Sequence, residues 1–571
     1  MQRGTMTDST RQPIVVCGGS NGSAFQAVCR AAATDGSAVP VRVVTRRPAQ
    51  FSSQPIVAVD GDDRFTVVPT RYNGARDVAA AASFANAAAN SAAGAGITAA
   101  RVSAGFAAPG VPSVEVYSWD ELDAALHGAS SAWVIGPVHA YQQMLPWLLR
   151  AAQQCRGFGA VQEGGGGGGG GGGARKKVCG VIYGQGGIDW MIASRFGGSL
   201  PVPGVTLVLL RNFLGIVSRK KGDEVDKDAQ VAFCWGRHPH PAECCVIPDD
   251  APARGAASDA LLNLYGPTLG VMEQVRSPAG PLLCTIGAVN QLLHPAILLN
   301  LMGDVPGYRT YDEPPRAYRD YWAGTCKYLV PLCLEMVRLA RAADAALGLE
   351  GQLMGNLAWR SNTGRFAQLF TWVANKIGMT TSLSANSNTT TDVVDNFDQL
   401  CLEYGAENSP EWFCRFVTYM TFTGNARLRG ARVPCVKVSP TVPAPGDACG
   451  AKSPYVTQAG GASPGKPQYF PNLESRFIQD DVPFGLAILL GIAEIVGCPM
   501  PRTATICARL QRWMGKEYVT GGFDRDGKPS FVLKGRDVMS SGAPQAYGIT
   551  TLAQLREAVH HHRLPQAHAK M

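Results

Sequence analysis

The chain has 571 residues, 66 of them glycine, with 46% hydrophobic and 17% charged residues and 52 basic against 44 acidic side chains, a net charge of +8. This composition excludes a disordered chain, and the absence of a G-X-Y period excludes collagen. The charge is mild and scattered, and the RKK runs at 175–177 and 219–221 are short, so a solvated face is expected there rather than a nucleic-acid patch, with small anionic molecules as partners.

Length gives a prior of roughly four domain-sized units. Sixteen cysteines without a CxxC are too sparse for a disulfide scaffold, and no long apolar segment follows a basic start, which points to a reducing intracellular compartment. The stretch Phe484 to Cys498 is too short for a membrane span and carries Glu494, so it reads as a buried helix and no membrane partner is expected.

Residues 1–13 are polar and read as a flexible start. Ile14-Val15-Val16-Cys17 reads as a buried strand running into Gly18-Gly19-Ser20-Asn21-Gly22-Ser23, followed by a helix from Phe25 to Ala33 and a second strand over Val41 to Thr45. Strand, glycine turn, helix and strand form a βαβ unit. Residues 79–100 are an Ala/Ser/Asn-rich insert with no assigned function. Ser118 predicts a helix N-cap with Glu121 three residues on, the helix running to Leu126. Ala132 to Pro137 reads as strand and turn, Tyr141 to Gln153 as helix, and Val178 to Tyr183 as strand, with the run Gly164 to Gly173 as a lengthened loop before that strand. From about Leu261 helical patterns take over, at 283–302, 318–348, 397–421 and 484–515, interrupted by a Pro/Gly-rich stretch at 440–471. The fold class expected is an α/β, Rossmann-like (doubly wound) domain over 14–255, followed by a mainly α-helical domain over 256–558 with an insert at about 425–471, and a tail over 559–571.

A backbone turn that approaches a pyrophosphate needs glycine, because a Cβ would block the approach, and the following helix N-terminus offers free N–H groups. Gly18, Gly19 and Gly22 suit that task, with Asn21 between them and Ser20 and Ser23 at the other two GxGxxG positions. An ordinary strand–helix turn is the alternative. At the end of the second strand the chain carries Arg46 and Arg47 rather than an acid. Arginine suits a ribose 2′-phosphate, which favours NADP over NAD; a solvated basic pair is the alternative.

His294 lies in an apolar helical pattern, with Asn290 four residues earlier on the same helix face. An imidazole with a hydrogen-bonding neighbour can move a proton near neutral pH, although a satisfied core histidine has the same sequence pattern.

The Asn290-x-x-x-His294-Pro295 motif, downstream of a Rossmann-like half, resembles the octopine/nopaline (opine) dehydrogenase family. Arg476-Phe477-Ile478-Gln479-Asp480-Asp481-Val482-Pro483-Phe484-Gly485-Leu486 resembles its Arg-Tyr-x-x-Glu-Asp-Val-Pro-x-Gly-Leu stretch, and Gly497 to Pro501 its Gly-Val-x-x-Pro turn. Tyr321 to Thr325, before a helix ending Ala346 to Leu349, also fits, as do the strand–Pro137–helix of Ala132 to Tyr141 and the glycine turn of Ile182 to Gly187. Segments covering about half the chain match. The chain departs from the family pattern at Ser20, Ser23 and Asp480.

The resemblance implies NAD(P)H-dependent reductive condensation of an amino acid with a 2-oxo acid, in which an imine takes a hydride. It implies His294 as acid/base, Asp481 as the carboxylate that holds and polarises it, Arg476 as the site of a substrate carboxylate, Asn290 as an orienting group, and Pro137 beside the cofactor. A dehydrogenase of 2-oxo or hydroxy acids without amine condensation, and a non-catalytic nucleotide-binding protein, are the alternatives.

Cys234, His238, His240, Cys244 and Cys245 crowd one segment, but their spacing fits no standard metal site and reads as strand and turn. His560, His561 and His562 are expected to be exposed. The ending Ala569-Lys570-Met571 is a variant of the Ser-Lys-Leu address, which points to an import receptor and a peroxisome-type compartment, the glycosome included, with the cytoplasm as the alternative.

Overall fold

The structure is a computed structural model that describes residues 12–18, 40–46, 56–59, 65–68, 70–72, 114–136, 138–159, 176–182, 187–210, 217–219, 232–234, 242–265, 272–274, 279–286, 290–302, 310–315, 322–353, 432–438, 468–525 and 529–565. It divides into two compact units, Met1–Gly184 with Ile192–Gly280, and Gln185–Met191 with Pro281–Met571.

The first unit is built on β1 (Ile14–Cys17), β2 (Val41–Thr45), β3 (Ile56–Val59), β4 (Phe65–Val68), β5 (Thr70–Tyr72), β6 (Val114–Ser118), β7 (Ser131–Val134), β8 (Lys177–Ile182), β9 (Val205–Leu210), β10 (Val217–Arg219), β11 (Ala232–Cys234), β12 (Ala242–Ile247) and β13 (Met272–Gln274). Nine of these form one sheet in the order β13-β12-β9-β8-β7-β1-β2-β6-β5. All of its pairs are parallel except β9 with β12. Strands of such a sheet are covered on both faces, so they read as unbroken apolar runs: Ile14, Val15, Val16 and Cys17 are all buried. β10, β11, β3 and β4 form a separate four-stranded sheet.

The chain runs from β1 to β2 on one side and comes back to β7 on the other, so the strand order reverses at β1 and β7. A doubly wound sheet places its ligands at that reversal, beyond the carboxyl ends of the strands. Helix α2 (Val138–Gln154) follows β7 and starts three residues before the expected Tyr141. Its buried Val138, Tyr141, Met144, Leu145, Leu148, Leu149 and Ala152 repeat at helical spacing, and the Tyr141 hydroxyl donates to the Ile182 carbonyl on β8. Before β7, a 3-10 turn at Trp119–Glu121 leads into α1 (Leu122–Leu126), and the Glu121 carboxylate reaches back to the Ser118 amide at 2.8 Å, as the sequence predicts. Gly180 of β8 stands in register with Trp133 of β7, whose ring lies where a Cβ would be, 2.0 Å away.

Helical patterns take over near Leu261 and the second domain is expected from 256, whereas the first unit runs to Gly280. The reason lies in the sheet: α4 (Ala251–Tyr265) leads on to β13, which adds to β12 in parallel. Helix α3 (Ile188–Ala193) follows β8.

The second unit contains α5 (Ala279–Ile286), α6 (Asn290–Met302), α7 (Trp322–Leu347), the hairpin of β14 (Cys435–Val438) with β15 (Gln468–Pro471), α8 (Arg476–Gln479), a π-helical turn at Val482–Leu486, α9 (Ala487–Val496), α10 (Pro501–Trp513), the hairpin of β16 (Thr520–Phe523) with β17 (Pro529–Val532), and α11 (Leu552–His561). The helical pattern over 484–515 is two helices, parted at the expected Gly497 to Pro501 turn. Gly497 takes a left-handed φ of +72° and closes α9, and Pro501 opens α10. An 18-residue window within Gly280–Met302 has a mean hydropathy of 1.6, enough by composition to cross a membrane, yet the described residues of that window are buried within the protein. Glu335 of α7, itself buried, caps α10 by accepting from the amides of Arg502 and Thr503, each at 2.8 Å, and from the Thr503 hydroxyl.

The histidine run departs from expectation. Only His561 is exposed. His560 bonds the Leu347 carbonyl at 2.8 Å, and His562 caps α11 in a left-handed conformation, where burial and then His561 lower its pKa to about 4.

Candidate active site

In the first unit, Gly18 ends β1 with φ +77° and donates its amide to the Val44 carbonyl at 2.9 Å. A Cβ there would meet the Met144 methyl at 2.1 Å and the Ile135 carbonyl at 3.0 Å, so only glycine fits. Arg46 stands just past β2, exposed, with its guanidinium donating to the Gln143 side chain of α2 at 3.3 Å. Because β1 and β2 are adjacent and parallel, Gly18 and Arg46 share the carboxyl edge of the sheet, beside the strand reversal. A tight glycine turn and a cation beyond the second strand thus stand where a doubly wound sheet places its ligands. Gly19, Ser20, Asn21, Gly22, Ser23, Arg47 and Pro137 lie outside the described residues, as do the helix at 25–33, the glycine run, the helical pattern at 397–421, His238, His240 and Ala569-Lys570-Met571. Cys234 lies in β11, and Cys244 and Cys245 in β12, in keeping with strand for that segment.

In the second unit, α6 is apolar on every side, with Leu292, Leu293, Ala296, Ile297, Leu298 and Leu299 all buried. A histidine in such a helix needs a partner, because burying an imidazole N–H without one is costly. His294 has it: Nδ1–H donates to Asp481 Oδ2 at 2.8 Å, with His294 3% and Asp481 4% exposed. The carboxylate arrives by a local device. Ser475 precedes α8, one turn of helix follows, and the chain then widens into the π turn, so that Asp481 lies at the junction of the two. Burial pushes the Asp481 carboxyl up from its ordinary value; His294 pulls it back, Asp480 pushes it further up and Arg476 pulls it down. With Nδ1 held by Asp481, Nε2 is the nitrogen able to exchange a proton.

Arg476 is the first residue of α8 and is exposed, while Asp480 is buried. Asn290 opens α6, one turn before His294. Two neighbours escaped the sequence reading. Phe477 stacks on His294, with ring centroids 3.7 Å apart and planes 7° from parallel. Gln291, fully buried, donates from Nε2 to the Thr285 carbonyl at 2.7 Å and fills the space where a Cβ on Gly485 would be, 2.5 Å from its own Cβ. The only signal for Gln291 was its place on the His294 helix, and for Phe477 its place beside Arg476.

The first unit is thus a doubly wound, Rossmann-type domain, and the second is mainly helical with a buried His–Asp pair. No family model matches the chain. It is 41% identical to tauropine dehydrogenase of Arabella iricolor over 85 residues, 15% of this chain and 19% of that protein. It is 35% identical to an opine dehydrogenase of Haliotis discus hannai over 88 residues, 15% of this chain and 20% of the other. The matched stretch therefore spans about a fifth of the length of these curated relatives. Among solved structures, octopine dehydrogenase with NADH and L-arginine aligns over 95% of this chain and 97% of its own, with a TM-score of 0.51 at 17% identity. Octopine dehydrogenase with NADH and agmatine aligns over the same shares, with a TM-score of 0.50 at 16% identity. The chain has the octopine dehydrogenase fold, and its resemblance to the opine dehydrogenase family holds in sequence and in fold.

Proposed function

We propose that the chain is an NAD(P)H-dependent oxidoreductase of the opine dehydrogenase type, which joins the amino group of an amino acid to a 2-oxo acid. The amine adds to the keto carbon, water leaves to give an imine, and the imine carbon is reduced while its nitrogen keeps a proton. The bound nicotinamide supplies the hydride. The buried His294–Asp481 pair is the observation that carries this reading. His294 Nε2 hands a proton to the departing oxygen, and Asp481, fixed on Nδ1, orients the ring and balances the charge it gains. Arg476 offers a permanent charge, in a fork geometry, to a substrate carboxylate. Asn290 orients substrate or nicotinamide from the turn before His294. Gly18 through Ser23 and Pro137 hold the dinucleotide, and Arg46 with Arg47 takes its 2′-phosphate, so NADPH is preferred to NADH.

The test is oxidation of NADPH and of NADH with a panel of amino acids and 2-oxo acids, alongside His294→Ala. Turnover requiring both the amine and the oxo acid, lost by about a hundredfold or more in His294→Ala, is expected. Turnover with an oxo acid alone would assign a dehydrogenase without condensation. Dinucleotide binding without turnover of any pair would sink the enzymatic reading. Replacing Arg46 and Arg47 with Ala should weaken NADPH far more than NADH, and equal losses would refute the 2′-phosphate assignment.

A further inference from the structure

The face of the His294 ring is covered by Phe477, with centroids 3.7 Å apart and planes 7° from parallel. Atoms in optimal van der Waals contact lie about 3.5–4.0 Å apart, so the two rings lie face on face in direct contact. A cation over an aromatic face is attracted to it. The contact therefore favours a charged His294 ring beyond the stacking that a neutral ring also gains. Asp481 meets the same ring in its plane, at Nδ1. A protonated His294 would have a carboxylate at its edge and a π face against its flat side.

We propose that Phe477 is a positioning residue, which fixes the plane of the His294 ring and stabilises its protonated form. The functional part of this inference rests on the reading of His294 as proton donor. Phe477 does its work from α8, the same short helix that starts with Arg476, so one turn of chain carries both the charge offered to a carboxylate and the support for the proton donor. The charged groups acting on the pair from this side are Asp480 and Arg476, both felt by Asp481. The buried acid of α7, Glu335, is bonded to the α10 amides.

The test replaces Phe477 in the full chain with phenylalanines of increasing ring fluorination, which keep the shape and drain the ring face. The titration of His294 is followed by NMR with histidine labelled at Cε1, its signal assigned by its loss in His294→Gln. Each fluorination step is expected to move the titration to lower pH, by about half a unit to one unit across the series. Phe477→Leu should also move the Cε1 proton signal downfield, since it removes the ring current above it, and Phe477→Tyr should keep the parent signal. In turnover, the alkaline limb of the reductive pH profile should move to lower pH with fluorination. Phe477→Leu should lower kcat about two- to tenfold with little change in KM, and Phe477→Tyr should restore it. A His294 titration that ignores fluorination would overturn the proposal, whatever the activity. A parent chain inactive with every substrate pair would instead remove the functional reading, and the fluorination series would still decide the role of the ring.

Discussion

Asp189→Asn is expected to stabilise the second unit, and to do so only above about pH 4. Asp189 is 4% exposed, and its Oδ1 has no hydrogen-bond partner among the described residues. Burial pushes its carboxyl from 3.8 up to about 7, against the pull of the Trp190 and Asp189 amides. The unfolded chain loses this proton near pH 4 and the folded chain only near pH 7. Between those values the unfolded state binds fewer protons, so stability falls as pH rises. At about 1.36 kcal/mol per unit, a displacement of about three units costs the folded state on the order of 4 kcal/mol at pH 8, and almost nothing below pH 4. Asparagine keeps the shape and removes the charge, so that cost vanishes. The segment is otherwise well held, with Trp190 donating to the Gly542 carbonyl at 2.9 Å and the Gly187 amide to Thr285 Oγ1 at 3.1 Å, so the substitution should not loosen it. Urea unfolding of parent and variant at about pH 4.5, 6 and 8 measures the effect. The gap between the two chains should widen by a few kcal/mol in the variant's favour as pH rises. A gap of constant size would refute the assignment of the cost to ionisation.

Gly180→Ala should destabilise the first unit by about 1–3 kcal/mol, read as a lower thermal midpoint, because the Trp133 ring occupies the place of the new methyl group. Glu335→Ala leaves two helix amides and a hydroxyl without their acceptor; a loss on the order of 3 kcal/mol in urea is expected, with faster hydrogen exchange at Arg502 and Thr503, and Glu335→Gln should recover part of it. His562 has its pKa lowered from 6.5 to about 4 on folding, so it contributes a loss of stability as pH falls from about 6.5 to 4, on the order of 3 kcal/mol. His562→Asn, suited to the left-handed backbone there, should flatten that acid limb in a thermal-midpoint profile, and an unchanged limb would contradict the assignment.

Local chemistry made the alternation of strand and helix in the first unit legible. Unbroken apolar runs mark strands covered on both faces, and Ser118 with Glu121 marks a helix start, because these patterns depend only on residues near one another in sequence. The break in the 484–515 pattern was foreshadowed by Gly497 and Pro501, whose backbone preferences are local, yet the apolar periodicity on either side reads straight through it. The half-burial of His560 was not legible, since it depends on the end of α7, more than two hundred residues away in the chain.

By itself the sequence determined which residue types were on hand: a glycine after the first strand, arginines after the second, a histidine in an apolar helix, and an Arg…Asp-Asp stretch far downstream. It left open whether His294 was a core histidine or half of a pair. Only the tertiary structure decided that, because His294 and Asp481 stand 187 positions apart in sequence, with no local signal of a contact. The pairing follows from burial: a helix apolar on all sides takes its histidine out of water, and the fold must bring a carboxylate to it. The same packing laid Phe477 on the ring and placed Gln291 against Gly485, contacts set by shape at the meeting of helices rather than by any spacing along the chain.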